Sequence, residues 1–491
     1  MTEQAELEAP SGTPRLRSAR TAALQRARQA AGSVRLAYLP VLITYFCYGA
    51  SAITAIALVF FEKDTLSLTP AEAASVAFWV GLPWSMKMVA GAASDRYPIF
   101  ASRRASYLTL GALGSLAGYA ALATTVDSKP MYLLASVLVA AGFMVQDVVA
   151  DAISVEVARS EEELGQIQAL GRMALLVGTI SVGYLGGWLA ETIGARLTFA
   201  VAGALPLLVI ATLPFARGSN RPAPAPDEGP LGGGNARVVL LGGLAYAAFS
   251  ALLQATGAPF TEEIVLVVSG ALIGVLLNRV GVSRSVVIAA VVIFLFRAAP
   301  AVGQGYSFWA IDRLGFDQRF LGLLAQVSSV VSLLGLIVFR RTIVRQPVSF
   351  TLFWVVVTST ILYVPTIGLF YGLHEWIGVS ARTLAFVDTT ISAPLAQLTM
   401  VPMLILIARA APAGAEATMF AIMASLMNLA LSASQLFTRY LNAAFAVSQE
   451  DYANLGRLMI TVAVIGLLPL LALPLLRRQE RRIPPASPSS G

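Results

Sequence analysis

Apolar runs of about 20 residues, separated by short polar or Gly/Pro-bearing segments, recur from position 36 to position 476. Each is long enough to cross a ~30 Å hydrocarbon layer as a helix. A closed barrel would instead alternate apolar and polar residues in segments of ~10. The pattern predicts fourteen helical spans, at about 36–60, 71–93, 105–125, 131–157, 166–191, 195–215, 238–256, 262–279, 285–310, 320–339, 349–372, 383–408, 415–444 and 455–476. Composition agrees: 57% of residues are hydrophobic and 12% charged, and the mean hydropathy of +0.74 is far above that of a soluble domain. The first span is too long, and too far behind its basic leader, to read as a cleaved secretory signal, so residues 1–35 are expected to be a solvated tail.

The net charge of +7 turns out to follow topology. One set of loops and tails collects Arg15, Arg17, Arg20, Arg26, Arg28 and Arg35, then Arg96, Arg103, Arg104 and Arg159, then the arginines of 217–237, Arg279, Arg284, Arg340, Arg341, Arg345, Arg409 and the Arg477–Arg482 group. The opposite set holds only Lys63, Lys129, Arg196, Arg313, Arg319, Arg382, Arg439 and Arg457. The positive-inside rule therefore puts both termini in the cytoplasm, as for a protein of a bacterial inner membrane, and no nucleic-acid partner is needed to explain the basic pI. Cys47 is the only cysteine and His374 the only histidine, so neither a disulfide nor a His/Cys metal centre is expected. No phosphate-cradling Gly-rich loop ending in Lys-Ser/Thr is present, which argues against an ATPase; neither an enzyme nor a bound cofactor is expected.

The stretch RGSNRPAPAPDEGPLGGGNAR (217–237) reads as a flexible linker after six spans. An internal echo fixes the rest: FFEKDTLSLTPAEAASVAFW (60–79) and SFWAIDRLGFDQRFLGLLAQV (307–327) both run from apolar-aromatic residues through Asp to the next span. If Asp64 matches Asp312, the span at 36–60 matches that at 285–310, and the pair at 238–280 is an insertion. The expected organisation is a basic tail (1–35), a six-helix bundle (36–216), the linker (217–237), the inserted pair (238–280), a second six-helix bundle (281–476) and a C-terminal tail (477–491). This all-α, six-plus-six plan with pseudo-two-fold symmetry is that of the major facilitator superfamily, whose halves rock about a site near the bilayer midplane.

Motifs narrow the reading. GLPWSMKMVAGAASDRYPIFASRRASYLTLG (81–111) resembles the loop between the second and third helices of major facilitators. Gly91 is expected to allow close helix approach, with Asp95, Arg96 and Arg104 acting in gating, although arginines there also serve simply as topogenic anchors. Together with VVADAISVEVAR (148–159), FLFRAAPAVGQGYSFWAIDRLGF (294–316), VPMLILIARAAPAGAEATMFAIMASLMNLALS (401–432) and YANLGRLMI (452–460), this segment resembles the folate-biopterin transporter family over most of 40–475. QDVVADA (146–152) is also similar to muropeptide permeases and acetyl-CoA transporters. The resemblance implies a secondary active transporter for a pterin-like, folate-like or other anionic aromatic solute, coupled to protons and working by alternating access.

Within FMVQDVVADAISVE (143–156), Asp147 and Asp151 are four apart and share one helix face. Buried ionisable groups usually mark a transport path; the structural alternative is interhelical glue. Counting ~1.5 Å per residue, Lys87, Asp151 and Arg172 fall ~10–12 Å from the terminus-bearing side, and Asp147 and Arg297 ~18 Å. The expectation is therefore a scaffold network of Asp151 with Lys87 and Arg172, and a cavity pair of Asp147 with Arg297, whose planar fork suits a carboxylate. Asp388 is a third candidate coupling carboxylate, open also to helix-cap or gate duty. Gln146, Gln304, Tyr306 and Gln397 are candidate cavity residues, Glu416 a gate or cap, and Asn428 an interhelical hydrogen bonder. The expected partners are a small solute, protons and the lipid bilayer, with a monomer as the default. A contrasting reading is a non-transporting assembly or delivery factor that docks partners on the inserted pair.

Overall fold

The computed structural model describes residues 35–99, 102–216, 233–396, 398, 400–411 and 416–480. Among these, only the isolated bridge Ile99–Ser102 departs from helix and loop. We number the helices α1 (Leu36–Thr65), α2 (Pro70–Ser85 continued by Lys87–Arg96), α3 (Ala105–Thr124), α4 (Lys129–Val157), α5 (161–193) and α6 (195–216). There follow α7 (Gly233–Thr256), α8 (Thr261–Val280), α9 (Arg284–Arg297 and Gln304–Leu314), α10 (Gln318–Arg345), α11 (Val348–Leu362 and Val364–Phe370), α12 (Ala381–Ala396 and Met400–Ala410), α13 (Glu416–Ala444) and α14 (Leu455–Glu480).

Eleven helices among the described residues are long and apolar enough to cross a membrane, one of them being 161–216 taken whole. That helix bends at Gly194 (φ 80°, ψ 167°), a conformation open to glycine, and α6 then packs back on α3 and α1. α2 and α9 are helical but interrupted and fall outside that set.

Local chemistry sets the helix starts. Thr69 and Glu72 form a reciprocal capping box at α2 with Pro70 in the first turn. Ser160 caps α5, whose first turn carries Glu161, Glu162 and Glu163 against the positive end of the helix dipole. Asp317 accepts the Phe320 amide at 2.7 Å to start α10.

The break in α9 is written into two strands of sequence. Pro300 has no amide hydrogen to donate and Gly303 takes φ 65°. The backbone groups freed between residues 298 and 303 are met by a stripe on α13. Ser434 donates to the Ala299 carbonyl at 2.7 Å, Thr438 accepts the Ala301 amide at 3.0 Å, and Asn442 donates to the Val302 carbonyl at 3.0 Å. A broken helix in hydrocarbon requires such partners.

Helices α1–α6 pack on one another, as do α9–α14, and the two groups meet along α2 against α13 and α5 against α10. At the second seam the backbones nearly touch: a Cβ on Gly187 would lie 2.2 Å from the Gln318 carbonyl oxygen. The pair α7–α8 docks over the first seam. Buried Glu262 at the start of α8 accepts from Ser75 of α2 and from Arg439 of α13, the latter at 2.8 Å, so the pair is fastened to both groups.

Candidate functional site

We refer to the side holding residues 35 and 480 as the terminus side and its opposite as the far side. About midway along α2 the helix breaks at Met86 (φ −110°, ψ 20°), one turn after Pro83. Lys87, the first residue beyond the break, forms an ion pair with Asp147 of α4. Its ammonium also lies 4.9 Å from the centroid of the Trp84 ring, which stacks on Tyr48 of α1 at 5.0 Å and 28°. One turn along α4, Asp151 accepts from the Tyr45 hydroxyl, with Gln168 beside it. Arg172 is within electrostatic reach of Tyr45 and Tyr48.

The expected pairing is thus corrected by one turn: Lys87 joins Asp147, not Asp151. Side chains on a helix lean toward its N-terminus, and α2 runs from the far side to the terminus side. The long lysine stem therefore reaches deeper than its Cα, which counting along the backbone ignores. Asp151 is held, as expected of the lower aspartate, but by a tyrosine.

Arg297 ends the first segment of α9, at the break. Its Nη1 contacts the Met400 sulfur at 4.0 Å, its Nε is buried without a hydrogen-bond partner, and it makes no ion pair among the described residues. The expected Asp147–Arg297 pair is not formed, because Asp147 is already taken by Lys87. A guanidinium without a counter-charge at mid-membrane is costly to bury, and its five donors are matched to a carboxylate or phosphate.

Two of the cavity candidates meet protein partners instead, and a third lies against an aromatic neighbour. Gln146 is fully buried between α3 and α4, donating to Ser115 Oγ and the Gly142 carbonyl, each at 3.1 Å. Gln304 donates to Glu62 at 3.0 Å across the two groups. Tyr306 packs with Trp309, ring centroids 5.7 Å apart, in the far-side apolar cluster of the second group. For Gln146 and Gln304 the amide suggested a solute site, but α3–α4 and α1–α9 packing supplies a protein partner. Asp388 on α12 accepts from Thr366 of α11 at 2.7 Å. Gln397 and the Glu416 side chain lie outside the described residues.

In the loop after α2, buried Arg104 is the hub: it pairs with Asp95 at 2.7 Å and with Glu156 of α4 at 2.7 Å, and donates to Ser94 Oγ at 2.9 Å. Arg103 is 3.9 Å from Glu156. Arg96 is half-buried and makes no ion pair among the described residues. A Cβ on Gly91 would meet only Val148 Cγ1, at 3.7 Å, so close approach is not what that glycine provides; it falls instead at Gly142, where a Cβ would lie 2.5 Å from the Gly111 carbonyl oxygen.

The ion pairs and hydrogen bonds that join the two groups among the described residues lie at mid-depth or toward the far side. Asn428 donates to the Trp84 carbonyl at 2.9 Å, the interhelical role expected of it. Lys63 pairs with Asp312 at 2.6 Å, Arg319 with Glu191 at 3.0 Å, and Gln449 donates to the carbonyls of Lys63 and Leu68 at 3.2 and 2.8 Å. The two echoing segments thus meet at Lys63 and Asp312. Sequence reasoning missed Glu62, Tyr45, Trp84 and Glu156. The run FFEKD read as a loop, although the acid after two phenylalanines is the available signal.

Two groups of helices joined by seams at α2–α13 and α5–α10, with ionisable groups at mid-depth, define an integral membrane protein of the major facilitator fold. A crystal structure of the peptide transporter POT superposes with a TM-score of 0.65 at 18% identity, covering 90% of this chain and 95% of that one. The nucleoside transporter NupG gives 0.61 at 11% identity, covering 90% and 100%. These likenesses concern the fold. Residues 49–485 match the BT1 family, and the chain belongs to it. It is 28% identical over 450 residues to a folate-biopterin transporter of Synechocystis sp., covering 89% of this chain and 81% of the relative. It is 21% identical over 441 residues to folate transporter 2 of Plasmodium falciparum, covering 88% and 86%. The protein is a transporter rather than an enzyme.

Proposed function

We propose that this transporter moves a folate- or pterin-like, or otherwise anionic aromatic, solute by alternating access, coupled to protons. The observation that carries the reading is Arg297: a half-buried guanidinium whose Nε is buried without a partner and which makes no ion pair among the described residues, at the break of a discontinuous helix. Discontinuous helices carry the solute sites of many secondary transporters. The stacked Trp84 and Tyr48 rings with Lys87 over one face offer a surface of the kind that binds a flat heterocycle. The names of the curated relatives support the same solute class.

In this reading the chain crosses a bacterial inner membrane fourteen times with both termini in the cytoplasm, and the far side is periplasmic. The six-helix bundles at 36–216 and 281–476, with the inserted pair at 238–280 between them, rock against each other. The far-side bonds then belong to a cytoplasm-facing state. The solute anion engages Arg297, and Asp147, exchanging Lys87 for a proton, links cargo to the gradient, with Asp151, Arg172 and Asp388 as supporting groups. Asp95, Arg96, Arg104 and Glu416 control the cytoplasmic gate.

Uptake of labelled folate and of biopterin into proteoliposomes under an imposed pH gradient tests this. Saturable uptake that rises with the gradient and is lost in Arg297→Gln is expected. Absence of saturable flux for both, with flux of a muropeptide or acetyl-CoA instead, overturns the solute assignment.

A further inference from the structure

Glu62 stands outside every role assigned above. It lies in a π-helical turn, Phe61–Thr65, that ends α1; single π turns inside helices are rare and recur at functional sites. The turn brings Glu62 back into the bundle, where it is 7% exposed. One carboxylate oxygen accepts from Tyr132 of α4 at 2.8 Å, and the other from Gln304 of α9 at 3.0 Å. One donor thus belongs to its own bundle and the other to the opposite one.

Both donors are neutral. The charged groups around the site are engaged elsewhere. Lys63, next in the chain, pairs with Asp312 at 2.6 Å and Asp64 at 3.4 Å. Arg196 of α6 binds Asp127 and the Val126 carbonyl, each at 2.9 Å. Tyr452, before α14, gives its hydroxyl to Asp312 at 2.6 Å. Gln304 is the group that α9 turns to the carboxylate, and Tyr132 is the titratable group facing it from α4. A buried carboxylate is stable as an ion when a cation is beside it; otherwise it carries a desolvation cost that two neutral hydrogen bonds only partly offset.

We propose that Glu62 is a proton-binding site that latches the far side: closure of the bundles there takes up one proton from the far-side water, and opening returns it. When the bundles part, Gln304 leaves with α9 and water reaches the carboxylate, which is then well solvated as an ion. When they close, water is expelled, and the proton supplies the missing positive charge. The neutral acid keeps the cross-bundle bond by donating its O–H to the Gln304 amide oxygen after an amide flip. Atoms balance, since one proton enters the site and none leaves on the terminus side. The latch rests on the alternating-access reading, but on neither the solute nor its coupling.

The test measures the far-side separation directly, without solute. Cys47 is buried, so spin labels at Thr125→Cys, just after α3, and Glu375→Cys, on the short helix Leu373–Trp376 between α11 and α12, both exposed on the far side, report the distance between bundles by electron-electron resonance in nanodiscs. In an otherwise native chain, the closed-to-open ratio is expected to rise as pH falls from about 8 to about 5, by up to about tenfold per pH unit for one linked proton. Glu62→Gln, which keeps a cross-bundle hydrogen bond but has no proton to exchange, is expected to lose that slope; Glu62→Leu serves if the amide variant elutes as aggregate. Gln304→Ala is expected to lower the closed fraction at every pH while the slope persists. A single distance at all pH values overturns the latch together with alternating access. Two distances whose ratio ignores pH, or a Glu62→Gln variant with the native slope, overturns the latch alone.

Discussion

Replacing Lys87 by Met separates a structural ion pair from a working one. Asp147 has a side chain only 9% exposed, and Lys87 is its one ion-pair partner among the described residues; the lysine side chain is 29% exposed. Removing one member of a fully buried pair costs ~3–5 kcal/mol, because a charge is left behind without compensation. Here the space vacated by a partly exposed lysine admits water to Asp147, so the cost falls to about 2–3 kcal/mol, near or below the bottom of that range. Replacing both residues, Lys87→Met with Asp147→Leu, removes the stranded charge, and most of the loss is recovered. The double-mutant cycle therefore shows a coupling of about 2 kcal/mol. Thermal unfolding of detergent-solubilised protein, followed by fluorescence-detected gel filtration, measures the stabilities, and proteoliposome uptake measures function. The expected result is a double variant that is nearly as stable as the native chain yet does not accumulate solute against a pH gradient. A double variant as unstable as the single one would show that Asp147 does not depend on Lys87. A stable double variant with full gradient-driven uptake would assign the pair to the scaffold alone.

Other changes read out different parts of the molecule. Arg104→Lys keeps the charge but loses the fork that holds Asp95, Glu156 and Ser94 together, so it should lower uptake severalfold with little rescue over Arg104→Gln, as checked by initial rates. Ser434→Ala with Thr438→Val strips two of the partners of the α9 break and should destabilise the protein by about 2 kcal/mol in the same unfolding assay, at ~1 kcal/mol per lost hydrogen bond. Asp317→Ala removes the α10 cap and should cost about 1 kcal/mol while leaving uptake close to native. Burial alone would raise the Asp317 carboxyl, but the Phe320 amide and Arg382 outweigh it and hold the group below its usual value. The contribution of Asp317 is thus present above about pH 4 and is lost as pH falls through the depressed value, which an acid titration of native and Asp317→Ala stabilities checks.

Much of the architecture was legible before any coordinates, because hydrocarbon enforces helices and the lengths of the apolar runs mark them. The expected starts at 105, 238 and 455 match α3, the apolar part of α7, and α14 within a residue or two. Turn residues and caps near 69, 160, 283 and 317 account for the places where spans begin. The four-residue spacing of Asp147 and Asp151 put both on one helix face, and the echo of Asp64 with Asp312 pointed to segments that meet through Lys63.

What the chain could not announce was which polar group finds which. Lys87 was matched with Asp151 by counting along straight helices, whereas the break at Met86 and the lean of the side chain deliver it to Asp147. Gln146 and Gln304 have the chemistry of solute-binding amides, yet Ser115 and Glu62 claim them. Glu62 itself looked like part of a loop, until a π turn folded it between two bundles whose residues are more than 200 apart in sequence. Periodicity and spacing act within one helix and are local, so the sequence carries them openly. Pairing across helices depends on tilt, breaks and the few ångströms by which one helix slides along another, and these are decided by the packing of the whole assembly.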